Sequence, residues 1–296
     1  MYTNCTLCPR KCNIDRSTGQ TGFCSMPEAV KVARAALHMW EEPCISGENG
    51  SGTVFFTGCN LKCVFCQNHT IAVGGTGKEV STEQLADLFL MLQEKEAHNI
   101  NLVTPSHYVP SIVKALNIAK SNGLSIPIVY NTSAYDSVET LSLLDGLVDI
   151  YLPDFKYVSS TLSTKYSHAK DYFEVARKAL AEMFRQVGTP VFSGDMMQKG
   201  IIVRHLLLPG CMEDTKAVLH YLYETYGDRI FISIMNQYTP LPHVEKYPEL
   251  NRKVTEAEYD EVVNFAIDLG IENGFIQEGE TADESFIPAF DFTGLL

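Results

Sequence analysis

From residue 53 onward, short apolar runs alternate with stretches of helical period. Residues 54–57 form a compact run of Val54, Phe55, Phe56 and Thr57. Residues 82–96 then repeat apolar positions at helical spacing, with Leu85, Leu88, Phe89 and Leu92 on one face. Ser81 or Thr82 supplies the N-cap. The alternation continues with strands expected at 99–104, 126–131, 148–152, 201–208 and 229–235. Helices are expected at 109–122, 137–144, 172–187, 214–226 and 255–269. Gly123, Gly188 and Gly270 stand where three of these helices should stop. Nearly continuous apolar strands alternating with helices argue for a parallel sheet. Right-handed crossovers would wind six such units into a partial barrel. The expected fold is therefore α/β, a partial (β/α)6 TIM-type barrel over residues 53–245. A small metal-binding module at 1–30, a connector at 31–52, and a C-terminal helix and extension at 246–296 complete the expected organisation.

Composition narrows the function classes. The chain has 296 residues, 45% hydrophobic and 20% charged, which is ordinary for a globular protein. No apolar run is long enough to span a bilayer, so no membrane partner is expected. The first residues lack a basic segment followed by an apolar stretch. No secretory signal is therefore expected, and the expected compartment is the cytoplasm. A net charge of −13 argues against a dedicated nucleic-acid binder, which needs a basic footprint. The nine cysteines divide into four near the N-terminus, three after the first barrel strand, and the single Cys44 and Cys211. An odd number without a signal peptide makes a poor disulfide framework. Metal ligation in a reducing compartment accounts for the two groups better, and each single cysteine reads as packing.

The chemistry concentrates in residues 58–68. Cys59, Cys63 and Cys66 stand at C-x3-C-x2-C spacing on a loop that follows a strand. Soft thiolates select zinc, copper(I) or iron–sulfur clusters. A [4Fe–4S] cube takes one ligand per iron, and with no fourth cysteine nearby one iron is left open. The bland alternative is a zinc knuckle or three buried thiols. The loop's place directly after a strand, which delivers three thiolates to one point, favours the cluster. Cys5, Cys8, Cys12 and Cys24 form a second group, C-x2-C-x3-C-x11-C. So short a segment cannot build its own core, and a metal would supply the missing folding free energy. Zinc held by four thiolates is the first choice, since it needs no open position. A second cluster is the alternative. The glycine-rich stretch at 46–52 lacks the Lys-Ser/Thr ending of a phosphate loop and reads as a plain loop.

C-x3-C-x-aromatic-C, with Phe65 in the aromatic slot, resembles the signature loop of radical S-adenosylmethionine enzymes. The resemblance implies a [4Fe–4S] cluster on Cys59, Cys63 and Cys66 whose open iron chelates S-adenosylmethionine. It implies reductive cleavage to a 5′-deoxyadenosyl radical, which abstracts hydrogen from a substrate. In such barrels function collects at the carboxyl ends of the strands. There Asp154-Phe155-Lys156 looks like a motif of glycyl-radical activating enzymes. Carried over, Lys156 meets the S-adenosylmethionine carboxylate, and Asp154 with Asn131 and Thr132 holds a monovalent cation. Arg204, inside an apolar strand that ends in Pro209-Gly210, is similar to an arginine of those enzymes that reaches the cofactor. An arginine so placed needs a carboxylate or ligand partner. Asn68 matches a cofactor-contacting asparagine, and Gln237 ends the sixth strand on the cofactor side.

The resemblance has gaps. Thr104-Pro105-Ser106-His107 stands where the family has a Gly-Gly-Glu-Pro-like segment, leaving Ser106 and backbone carbonyls as stand-ins. His107 is either a site residue or a structural one. The sixth strand ends in Asn236-Gln237-Tyr238, where the activating enzymes commonly place a histidine. Over residues 53 to 240 the resemblance points to the pyruvate formate-lyase-activating-enzyme-like branch, with an added four-cysteine module. It implies a low-potential electron donor, flavodoxin or ferredoxin, as partner. The radical acceptor would be a glycyl-radical enzyme, or alternatively a peptide or small metabolite. The rival class is a non-catalytic iron–sulfur or zinc regulatory protein.

Overall fold

Residues 1–277 and 288–295 are described by the computed structural model of the chain. Among the described residues ten strands lie in one sheet system: β1 Val30–His38, β2 Ser51–Phe56, β3 Lys78–Val80, β4 Ile100–Val103, β5 Ile128–Thr132, β6 Ile150–Pro153, β7 Val191–Ser193, β8 Met196–Leu206, β9 Phe231–Met235 and β10 Gly274–Ile276. The order is β10-β9-β8-β6-β5-β4-β2-β1-β3, with β7 paired to β8. Every pairing from β2 to β10 along that path is parallel. β1 runs antiparallel to both β2 and β3. The sheet stays open between β3 and β10, so the fold is a partial barrel.

The helices are α1 Pro43–Ser46, α2 His69–Ala72, α3 Thr82–Glu94, α4 Val109–Ser121, α5 Val138–Leu141, α6 Ser160–Ser167, α7 Tyr172–Val187, α8 Met212–Tyr226 and α9 Glu256–Leu269. Ser81 caps α3 in a capping box with Gln84, and Thr255 caps α9 in another with Glu258. Alternation along the strands sorts side chains into two layers. Ile128, Tyr130, Tyr151, Ile201 and Val203 join the main core with the outer helices. Val129, Ile150, Leu152 and Ile202 join a second cluster with Cys44 and Ile45 of α1. Thus α1 plugs the barrel floor, and Cys44 is there as packing.

Residues 31–52 are more than the connector expected. They hold most of β1, all of α1 and the start of β2. Alanines and the interrupting Lys31 and Arg34 hide the strand pattern of β1, whose burial nonetheless alternates in part. The glycine-rich stretch also hides the true start of β2. Gly52 is there because a Cβ would meet the Asn99 carbonyl at 2.8 Å.

The N-terminal segment docks on the barrel. The Tyr2 hydroxyl meets Ser111 Oγ at 2.9 Å, and Arg16 reaches the His107 carbonyl at 2.7 Å. At the other end, Phe292 N–H donates to the Ala33 carbonyl, and Ala35 N–H to that of Thr293. Part of the expected C-terminal extension, 278–287, lies outside the described residues. Among the described residues no helix is long and apolar enough to cross a membrane.

Two buried histidines make stability depend on pH. His107 Nε2 donates to the Thr57 carbonyl at 2.7 Å, and His205 is held between the Phe155 carbonyl and Thr215 Oγ1. Burial, with Arg16 nearby, pushes the His107 pKa down to about 3. Burial pushes His205 down to about 4. In the unfolded chain both titrate near the ordinary ~6.5. Below that pH the unfolded state takes up protons that the folded state refuses. Stability is therefore complete above about pH 6.5 and falls as the pH drops toward the folded values. His107→Gln, which keeps a donor for Thr57, should lose about 2 kcal/mol less than the parent chain between about pH 7 and pH 5. Urea melts at the two pH values measure this, and equal losses would contradict it.

Candidate active site

β2 delivers the chain to Thr57, and the sharp exit begins at Gly58, φ +90°. A side chain here would strike Met26 Cγ and the Cys24 carbonyl, the latter at 2.7 Å. Lys62 also takes a left-handed conformation, which turns the loop back on itself. Leu61 is fully buried, and Val64 N–H donates to the Tyr166 carbonyl at 2.8 Å. These anchors aim three thiols into one cavity of about 210 Å³.

The sulfurs are provided with donors. Cys59 Sγ accepts from the N–H groups of Leu61 at 3.3 Å and Lys62 at 3.5 Å. Cys63 Sγ accepts from Ser167 Oγ at 3.0 Å. Burial pushes the Cys63 thiol up to about 11 and Cys66 higher still. Thiolates here need a cationic centre beside them. Among the described residues no three His, Cys, Asp or Glu side chains gather closely enough to hold a single metal ion. A cube binds each thiolate to a different iron and tolerates that wider spread. The donor set therefore fits a [4Fe–4S] cluster.

Across the cavity stand the carboxyl ends of the barrel strands. Asn131 and Thr132 come from β5, Asp154 and Lys156 from the turn after β6, Arg204 from β8, and Gln237 from beyond β9. Phe65 and Asn68 line it from the cysteine loop. Ser106 does not line it. Its hydroxyl lies 3.4 Å from Thr132 Oγ1, which itself donates to Asp136 Oδ2 at 2.6 Å. His107 turns away toward Thr57 and serves the fold.

One charge network ties these ends together. Lys156 Nζ meets Asp154 Oδ2 at 2.9 Å. Arg204 donates from Nε to Asp154 Oδ1 at 2.9 Å, from Nη1 to Glu41 Oε2 at 2.8 Å, and from Nη2 to Asn131 Oδ1 at 2.7 Å. Burial works against the charge on Asp154, but Arg204 and Lys156 outweigh it and hold its pKa below the usual carboxylate range. For Glu41 burial prevails, and its pKa is raised despite Arg204. Of the oxygens expected to face a monovalent cation, Asp154 Oδ1 and Asn131 Oδ1 accept from Arg204, and Asp154 Oδ2 accepts from Lys156. The guanidinium supplies the positive charge at that place.

Glu41 escaped the sequence reading because it lay in the supposed connector. Its signal was indirect: an arginine in an apolar strand demands a carboxylate, and Glu41-Glu42 directly precedes the buried Cys44-Ile45. Thr104 was also missed as a lining residue. It holds φ +57° at the end of β4, an uncommon conformation for a β-branched residue and one that collects at functional sites. Pro288, from the C-terminal segment, lines the cavity as well.

Comparison with known proteins places this geometry. The profile of the radical SAM superfamily matches residues 53–210. An uncharacterized protein of Methanocaldococcus jannaschii is 29% identical over 275 residues, covering 90% of this chain and 75% of that protein. The crystal structure of Streptococcus suis SuiB bound to S-adenosylmethionine superposes with a TM-score of 0.52 at 14% identity, over 75% of this chain and 49% of SuiB. HydG, a maturase of the [FeFe]-hydrogenase, gives a TM-score of 0.51 at 15% identity, over 79% of this chain and 54% of HydG. The chain thus spans about half the length of these two solved structures, and the likeness to them is one of fold. Because the superfamily profile covers more than half of the sequence, from β2 through β8, this chain belongs to the radical S-adenosylmethionine superfamily, whose members are enzymes built around a [4Fe–4S] cluster and S-adenosylmethionine.

Proposed function

We propose that this protein cleaves S-adenosylmethionine reductively and abstracts hydrogen from a polypeptide acceptor, as a member of the pyruvate formate-lyase-activating-enzyme-like branch. The observation that carries this reading is the convergence of Cys59, Cys63 and Cys66 with Lys156, Asp154 and Arg204 on one cavity at the strand ends. When bound, the cluster and S-adenosylmethionine supply a 5′-deoxyadenosyl radical. The protein's part is to hold, orient and shield.

Lys156 is the residue best placed for the S-adenosylmethionine carboxylate. An ammonium has three donors, and Asp154 takes one of them. Its charge survives burial because Asp154 and Cys63 raise its pKa against the desolvation that would lower it. Arg204 is a positioning residue. Its fork is committed to Asp154, Glu41 and Asn131, and it fixes Asp154, which in turn fixes Lys156. Phe55, Phe56, Leu61, Ile71 and Val103 line the same cavity and keep water from the reacting atoms. Gln237 and Asn68 complete the polar lining for the rest of the cofactor.

Trp40, 63% exposed, lines the mouth beside the exposed Met39. Aromatic and methionine side chains of this kind are enriched at protein interfaces. A polypeptide acceptor, either a glycyl-radical enzyme or a precursor peptide, fits such a rim. SuiB has been crystallised with its precursor peptide SuiA. A flavodoxin or ferredoxin would deliver the electron.

Three outcomes test this reading. Anaerobically reconstituted protein with dithionite should convert S-adenosylmethionine to 5′-deoxyadenosine and methionine, and Cys63→Ala should abolish the product. Product formed by a variant lacking Cys59, Cys63 and Cys66 together would refute the assignment. Lys156→Met should weaken S-adenosylmethionine binding about ten- to a hundredfold, the worth of one charge-assisted hydrogen bond of ~1.5–3 kcal/mol. Its iron content should be unchanged. Arg204→Met should act on stability instead, because it strands Glu41 and Asp154 in a buried place. The expected loss is about 3–5 kcal/mol in chemical denaturation. A fully stable Arg204→Met protein would show that the network is not what holds the strand ends.

A further inference from the structure

The N-terminal segment carries a buried positive charge that no carboxylate among the described residues pairs with. Arg16 is 1% exposed. Its guanidinium donates to the carbonyls of Met26 at 3.0 Å, Pro27 at 2.6 Å and His107 at 2.7 Å. It also lies over the rings of Tyr2 and Tyr108, 4.9 and 5.5 Å from their centroids, and Nη1 is 3.8 Å from Cys5 Sγ. Among the described residues no carboxylate forms an ion pair with it. Guanidinium stays protonated in proteins, and a buried charge without a counter-charge is strongly disfavoured. Something anionic belongs beside it.

Cys5 touches that charge, Cys24 interacts with it electrostatically, and Cys8 and Cys12 lie close to both thiols. Cys5, Cys8 and Cys24 are buried and Cys12 is half-buried. Left-handed residues at Lys11, Asn13 and Ser25 fold the segment into tight turns. Cys5 N–H donates to the Ile14 carbonyl and Asn13 N–H returns a bond to that of Cys5. Cys12 Sγ accepts from Phe23 N–H at 3.4 Å. A Cβ on Gly22 would lie 2.7 Å from Cys12 Sγ, so glycine keeps space around the sulfur.

We infer that Cys5, Cys8, Cys12 and Cys24 hold a second iron–sulfur cluster, with Arg16 as its buried counter-charge. A cluster bound by four thiolates is net negative in both of its usual oxidation states, which supplies the missing charge. Zinc would also be anionic on four thiolates, but its geometry is tighter. Zn–S bonds of ~2.3 Å in a tetrahedron put the sulfurs about 3.8 Å apart. No three cysteines, histidines or carboxylates among the described residues gather closely enough to hold a single metal ion. The same holds of the central trio, the set with which this superfamily holds a cube. The zinc expected from spacing alone gives way to the cluster on this comparison.

The two thiol groups share one scaffold. Arg10 Nε donates to the Asn60 carbonyl at 2.8 Å, and Lys62 Nζ to Ser25 Oγ at 2.6 Å. The Cys24 carbonyl faces Gly58. The inference does not rest on the proposed reaction, since it concerns a different set of ligands.

Metal content of the full chain decides it. Anaerobic reconstitution should give about eight iron and eight sulfide per chain with no zinc, and about four of each in the Cys59→Ala/Cys63→Ala/Cys66→Ala variant. In that variant background Arg16→Gln should retain the iron but lower the midpoint potential, because a lost positive charge disfavours the added electron. About four iron with one zinc in the parent chain, or four iron with no other metal, would overturn the inference and leave the proposed reaction standing. Retention of about eight iron in the variant lacking Cys8 and Cys12 would likewise overturn it.

Discussion

The strand ends of this barrel are held by one buried arginine. Arg204 leaves β8 pointing into the cavity and gathers Asp154, Asn131 and Glu41 from three different segments. The backbone follows the same junction, since Phe155 N–H donates to the Arg204 carbonyl at 2.8 Å. Four charged groups in so small a space are tolerable only because each has a partner. Burial raises the Asp154 pKa, and Arg204 and Lys156 beside it more than offset that rise. The ionised Asp154 in turn keeps Lys156 charged and aimed beside the cysteine loop.

The cysteine loop faces this network and depends on a different support. Gly58 allows the N-terminal segment to press against the exit of β2, and Arg10 and Lys62 bind the two segments together. The fold therefore brings a soft, thiol-lined wall and a hard, charged wall to opposite sides of one cavity. The first suits iron, the second suits an amino-acid carboxylate, and the superfamily's cofactors present both chemistries.

Much of this was legible in the sequence. The parallel strands announced themselves as apolar runs, and the C-x3-C-x2-C spacing marked the loop. Lys156, Asp154, Asn131 and Arg204 were picked out from strand ends and all line the cavity. What stayed hidden has physical causes. β1 is built largely of alanine and basic residues, so its period was weak, and Glu41 was hidden with it. Ser106 follows a strand end, yet the left-handed Thr104 redirects the chain and sends its hydroxyl behind the wall. Sequence spacing counts thiols but not their separation, so spacing alone leaves zinc and a cluster both open at the N-terminal cysteines.

The central claim is that the three thiols leave one iron open to S-adenosylmethionine beside Lys156. Electron paramagnetic resonance of the reduced protein, recorded with and without S-adenosylmethionine, tests it most directly. The variant lacking Cys8 and Cys12 isolates the central cluster for this purpose. The account predicts that adding S-adenosylmethionine shifts the g-values of that signal, because the ligand binds an iron. A reduced-cluster signal that is identical with and without saturating S-adenosylmethionine would contradict it.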